Sequence, residues 1–358
     1  MARMNRSRPT WLDRRPALEG GLLALLAALL FGVSTPLVQR FGAGVGSFAT
    51  AGLLYAGAAL VGALLRRPVD REAHLRPGDL PRLALMALFG AGLGPVALAW
   101  GLQHTSGASA SLMLTLEAVF TAVLARLFYH EALGGRVALA LSLLTAGGLA
   151  LALDRAQAAG GQLIGLLAVA AATVFWGVDN TLSRALSARD PGRVVMLKGA
   201  LGAAATASLA AVYGEPVPAL PAAAGLLLVG ATGYGLSLRF YLLAQRSFGA
   251  ARTGSVFAFA PFVGALLALL LGERGGGAWM MAGAALMMLG IVIHLAESHA
   301  HEHEHEAMDH EHAHRHDDGH HDHVHDPMPE GSHSHFHRHA PTRHGHAHMP
   351  DEHHAHRH

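Results

Sequence analysis

Leu114–Glu131, LTLEAVFTAVLARLFYHE, recurs in altered form as Ala258–Glu273, AFAPFVGALLALLLGE, so the chain contains a duplication. Each copy follows a short Gly-bearing link, Ser106-Gly107-Ala108 in one case and Phe248-Gly249-Ala250 in the other. Each then runs as an apolar stretch and stops at a Glu followed by glycines, Gly134-Gly135 and Gly275-Gly276. Gly107 and Gly249 are separated by 142 residues, as are Glu131 and Glu273. A second echo, Phe31-Gly32-Val33 against Trp176-Gly177-Val178, has an offset of 145. That distance far exceeds the period of a solenoid repeat, so the chain reads as two halves of one fold.

The composition places those halves in a membrane. Of 358 residues, 52% are hydrophobic and 14% charged, and apolar runs of roughly 20 residues, the length that crosses a bilayer as helix, recur up to residue 296. The sequence predicts ten spans near 18–38, 45–65, 81–103, 107–127, 136–153, 162–184, 193–212, 221–243, 250–271 and 277–296. The fold class expected is therefore an all-α integral membrane protein of ten transmembrane helices in two five-helix repeats. Residues 1–17 form a short leading segment, 18–156 the first repeat, 157–296 the second and 297–358 a tail. The 43 glycines suit helices that pack by close backbone approach. With no cysteine there is no disulfide framework and no thiolate metal site. A formal charge of +1 argues against nucleic acid as a partner, and 25 Arg with one Lys suits a high-GC bacterial genome.

Basic residues fix an expected orientation. With the N-terminus inside, 17 Arg fall in the segments on that side, against only Arg40, Arg155 and Arg274 outside. Both termini are then cytoplasmic, in a multi-pass protein of the bacterial inner membrane. Five spans per half is an odd number, so the second half enters the membrane inverted, the plan of many secondary transporters. Pro36, Pro95 and Pro261 fall inside spans, where a missing N–H frees a carbonyl and kinks the helix.

These features together resemble the EamA family of the drug/metabolite transporter superfamily, over residues 18–296. The resemblance rests on the ten spans in two halves, the Phe31-Gly32 and Trp176-Gly177 pairs, and the segments that close each half. The family's proline after the Leu-Glu of the fourth span is replaced by Ala118, while Pro261 keeps it in the ninth. The usual Lys near the end of the first span is absent, its candidate positions holding Val38, Gln39 and Arg40. The resemblance implies a gradient-coupled exporter of small metabolites with a cavity between the helices.

Ionisable groups at membrane depth are expensive and point to function. Glu117 lies in the fourth span, Asp179 and Asn180 near the end of the sixth, Lys198 in the seventh and Arg239 in the eighth. The three charges Asp179, Lys198 and Arg239 enter from the same side and can meet, either as a satisfied ion pair or as a carboxylate alternating between a cation and a proton or substrate. Trp176 and His104, with Ser34-Thr35, Gln103 and Ser237, are further candidates for the cavity lining.

After Ala296 the composition changes, and 23 of the 27 histidines lie between His299 and His358. Almost without aliphatics, this segment is expected to be disordered. Its candidate metal ligands are His301, His303, His305, His310, His312, His314, His316, His320, His321, His323 and His325. Imidazoles among carboxylates suit Ni, Co, Zn or Cu(II) in many exchanging sites. No cofactor is otherwise required, and no phosphate loop, nucleophile elbow or H-E-x-x-H motif marks an enzyme. The function expected is an exporter of a small metabolite or a transition-metal ion or complex, with a metal-binding tail. The alternative is a membrane-anchored metal sensor or store without transport.

Overall fold

The computed structural model describes residues 15–65, 75–129, 134–157, 161–183, 186, 189–248, 250–273, 276–295, 299–305, 308–314, 333–339 and 342–348. The repeat anchors Glu131 and Gly249 and the ligand candidates His316, His320, His321, His323 and His325 lie outside these residues.

The bundle is all-helical. Its helices are α1 (Arg15–Phe41), α2 (Ser47–Leu64), α3 (Leu80–Met86), α4 (Gly94–Leu102), α5 (Gly107–Met113), α6 (Leu116–Tyr129) and α7 (Gly135–Gln157) in the first half. The second half has α8 (Gln162–Ser183), α9 (Pro191–Val212), α10 (Leu220–Val229), α11 (Ser237–Phe248), α12 (Ala250–Phe257), α13 (Ala260–Leu270) and α14 (Ala278–Leu295). Leucines and other large apolar side chains such as Leu22, Leu64, Ile164, Val212 and Leu220 stand exposed on its outside, as a lipid-facing surface requires.

Among the described residues, eight helical stretches are long and apolar enough to cross a bilayer, against the ten expected. The other two appear as the shorter apolar helices Ala260–Leu270 and Ala278–His294. The ninth expected span is broken between α12 and α13 because Pro261 occupies the first turn of α13, a position where the missing N–H costs nothing but where a continuous helix cannot pass. The fourth is broken at the matching place, between α5 and α6, without a proline. There the Thr115 hydroxyl and backbone N–H both donate to the Leu112 carbonyl, at 2.9 and 3.0 Å.

The two halves share a second distortion. Ala87–Leu93 and Gly230–Leu236 are each a seven-residue π-helix in the middle of a span, and they are 143 residues apart. Both are glycine-rich, with Gly90 and Gly233 at the same place in each. Pro36, by contrast, is carried inside α1 without ending it.

Within the stretch read as a tail, the described residues are four strands. His299–His305 (β1) pairs antiparallel with Thr342–His348 (β4), and Met308–His314 (β2) with His333–His339 (β3). The reason is visible in the residues: histidine alternates with acids and small residues at a period of two, which is the period of a strand.

Candidate functional site

The first π-helix organises the site. Its Gly90 carbonyl accepts two hydrogen bonds, from the Tyr55 hydroxyl of α2 at 2.5 Å and from Trp176 Nε1 of α8 at 3.0 Å. Gly90 has no side chain because the Asp179 carboxylate of α8 occupies the space a Cβ would fill, and Gly94, one turn on, has Trp176 Nε1 2.8 Å from its own Cβ position. Trp176 and Asp179, three apart on α8, thus lie on a glycine track. Asp179 Oδ2 accepts a hydrogen bond from Lys198 Nζ of α9, and both side chains are buried. The other carboxylate oxygen, Asp179 Oδ1, is buried with no hydrogen-bond partner among the described residues.

A second polar pair lies next to the first. The Asn180 amide donates to Glu117 Oε1 at 2.6 Å, at a position where Asn180 is exposed and Glu117 half-buried. The break before α6 puts Glu117 in that helix's first turn, where the N-terminal end of the helix dipole favours a negative charge. Close approach of α8 to α6 depends on Gly177, whose Cβ position is 2.9 Å from the Phe120 Cβ. Around these groups stand the rings of Phe31, Tyr55, Trp176, Tyr234 and Phe257; Phe31 meets Trp176, Tyr234 and Phe257 with centroids 5.3 to 6.2 Å apart.

The profile of the EamA-like transporter family matches residues 18–153 and again 163–296, which takes in both halves. The chain belongs to the EamA-like transporter family. Over 220 residues this EamA chain is 29% identical to an uncharacterized transporter of Methanothermobacter thermautotrophicus, a match covering 58% of the chain and 62% of the relative. The chain thus spans about three-fifths of that relative's length. A solved crystal structure of a protein 21% identical superposes with a TM-score of 0.58, covering 76% of this chain and 94% of its own, so the two share a fold.

Both EamA repeats contribute to the site, but unequally. At the 143-residue offset of the π-helices, Gly90 corresponds to Gly233 and Lys198 to Tyr55; at the 145-residue offset of the aromatic-Gly pairs, Asp179 corresponds to Ser34. Gly233 does pack against Ser34, as Gly90 does against Asp179. The packing is therefore duplicated and the charge is not. Glu117 follows the same rule, since Ala118 corresponds to Pro261 at an offset of 143 and the counterpart of Glu117 is then Ala260. The ionisable groups cluster on one side of a duplicated frame, where α6, α8, α9 and the first π-helix meet.

Of the residues singled out from sequence, Trp176, Asp179 and Lys198 come together, and Asn180 and Glu117 join beside them. Arg239 is half-buried on α11, and the ion pair closed at Asp179 is the one with Lys198. His104 lies past the end of α4, where its Nδ1–H donates to the Trp100 carbonyl at 2.7 Å and its ring stacks on Trp100 at 4.1 Å. Gln103, also past the end of α4, donates to the Val45 carbonyl at 2.8 Å. Tyr55 and Gly90 escaped sequence reading, since a tyrosine and a glycine in apolar runs carry no charge to mark them.

Two carboxylates at the His104 end were also missed as functional groups. Glu215 accepts from the backbone N–H groups of Phe48 (3.2 Å) and Ala49 (2.8 Å), at the start of α2. Glu273 accepts from those of Gly107 (2.8 Å) and Ala108 (2.9 Å), at the start of α5. Each satisfies two of the donors a helix N-terminus leaves open. Gln39 adds hydrogen bonds to the Leu102 and Thr105 carbonyls at 3.1 and 3.0 Å. A cleft of about 150 Å³ lies here, lined by Pro36, Gln39, Arg40, Ala268, Leu271 and Glu273. Among the described residues with described side chains, no group of three His, Asp or Glu is placed to hold a metal ion.

Proposed function

We propose that this EamA protein is a secondary transporter of a bacterial inner membrane, exporting a small metabolite or a transition-metal ion or complex, and that Asp179 couples its transport to a gradient. The observation that carries the reading is the buried Asp179 carboxylate, one oxygen held by Lys198 and the other without a partner among the described residues. Ionised, it balances Lys198. A proton arriving at Oδ1 removes that balance and leaves a cation unpaired in a medium where it costs several kcal/mol. The helices carrying the pair then have reason to move apart, which links protonation to a conformational change.

The ten-span inverted arrangement belongs to this reading. Gly32 of α1 packs against α13, while Gly177 of α8 packs against α6; the first π-helix abuts Gly202 of α9, while Gly230 of the second abuts Leu54 of α2. Contacts that swap halves in this way are what two inverted repeats around a pseudo-twofold axis produce. With the termini cytoplasmic, the Glu215 and Glu273 end faces outward.

The test uses purified protein in proteoliposomes, with a substrate chosen by growth of a deletion strain across a panel of metals and metabolites. Asp179→Asn should abolish gradient-driven flux. Asp179→Asn with Lys198→Met removes both charges and should restore the amount of folded protein without restoring flux. Recovery of flux in the double variant would reject the coupling role and leave a structural ion pair.

The histidine-rich composition from His299 to His358 supports a second proposal, that the tail binds Ni, Co, Zn or Cu ions on the cytoplasmic side. A tail that binds metal in a chain that moves no substrate would be the sensor or store.

A further inference from the structure

The two ladders of the tail share one register. From His299 to Met308 is nine residues along one arm, and from their partners His348 to His339 is nine residues back along the other. β1 with β2, and β3 with β4, thus lie on one register as the two arms of a hairpin, and in the sequence Pro341, which has no N–H to give a ladder, falls between β3 and β4. In this register histidine stands directly opposite histidine six times: three pairs between β1 and β4, such as His301 with His346, and three between β2 and β3, such as His312 with His335. Directly opposed residues share a face, so each ladder has a histidine face and an intervening face. On the intervening face Glu304 stands opposite Arg343 and Asp309 opposite Arg338. Opposite charges at opposed positions favour this register over its neighbours.

We propose that this hairpin is a metal-stapled ribbon, in which the opposed histidine pairs of its two arms take up divalent transition-metal ions such as Zn²⁺. The inference rests on the proposal that the tail binds metal, and adds where the ions sit and what they do to the chain. Opposed residues have Cβ atoms about 5 Å apart, and the next pair on the same face lies about 7 Å along the strand. Two adjacent pairs therefore place four histidines at neighbouring register positions of one face, a residue set suited to tetrahedral zinc or to tetragonal nickel and copper. A two-stranded ribbon is marginal in water, and this one has almost no apolar residues to bury. Ligation between the arms supplies the missing free energy, so metal binding and ribbon formation are one event.

The chain has no cysteine, so pairs of nitroxide labels can be placed at will in the full-length protein in detergent. Ala300→Cys with Ala347→Cys marks two residues opposed in the ladder, on the face without histidine. Ala300→Cys with Ala313→Cys marks two positions thirteen residues apart on one arm, which a ribbon holds about 40 Å apart. Zn²⁺ alone is the probe, and its uptake is measured on the same samples. The expected result is dipolar broadening for the 300/347 pair on adding Zn²⁺, lost again with EDTA, and none for the 300/313 pair. A composition-preserving variant, Gly345→His with His346→Gly and Phe336→His with His335→Phe, removes the middle pair of each ladder and should lose that broadening. Zinc uptake with equal broadening of both label pairs, or with no broadening of 300/347, would overturn the ribbon while leaving a chelating tail. No zinc uptake would overturn both.

Discussion

Gly90 decides whether the charged pair can exist. A methyl group there would overlap the Asp179 carboxylate, and overpacking of that kind costs about 1–3 kcal/mol. Gly90→Ala should lower the melting temperature in detergent and reduce transport, while Gly92→Ala, whose Cβ position meets only the Ala87 carbonyl at 3.6 Å, should leave both near wild type. Equal behaviour of the two variants would show that glycine content, and not this contact, matters. The charged residues of the site were legible because charge in an apolar run stands out. The meeting of Asp179 with Lys198 was foreseen from their depth and side of entry; the pairing of Asn180 with Glu117 was not, because it depends on a helix break without a proline to announce it. His104 was read as a candidate for the cavity lining beside a span expected over 81–103, and it lies just past the end of that span at Leu102.

At the scale of helices, hydropathy located each element to within a few residues, because the solvent for the outer face is hydrocarbon and the pattern is coarse. What it could not show are the departures from α geometry. The π-helices arise where three glycines fall within a few residues in each half, Gly90, Gly92 and Gly94, then Gly230, Gly233 and Gly235, and close contacts with neighbouring helices select the wider winding. The carboxylates of Glu215 and Glu273 act on elements far from them in sequence. Replacing Glu273 by Gln, or Glu215 by Gln, keeps one acceptor oxygen and removes the charge at a helix N-terminus, which should cost about 0.5–2 kcal/mol in each case. Thermal melts of the two single variants and of the double variant check this, and a double variant that melts like wild type would remove the caps from the account of that end.

For the whole molecule, the asymmetry of 17 basic residues to three predicts that a reporter active only in the periplasm is active when fused after Gly160 and silent after His358. The reverse result would turn the site, the tail and the capped end around together. The tail adds a pH dependence of known sign. Histidine ligates metal only when neutral, with an ordinary pKa near 6.5, so bound Zn²⁺ should be retained at neutral pH and released as the pH falls toward about 5. Equilibrium dialysis of the full chain at a series of pH values measures it; retention at low pH would assign the metal to carboxylates instead. Duplication was readable here because both copies kept their aromatic-Gly and Glu-Gly punctuation. The one-sidedness of the charges was not, since it emerges only when Ser34 and Asp179 are seen against equivalent glycines.

The amide groups that open a helix have no partner within it and normally trade their hydrogens with water quickly. Those of Phe48, Ala49, Gly107 and Ala108 are held by Glu215 and Glu273, so their exchange in deuterated buffer is slowed by the fraction of time the carboxylates are in place. Four backbone positions thereby act as a built-in clock for that end of the protein, and a ligand that shifts the protein toward an arrangement open there would be detected as faster labelling of two short peptides.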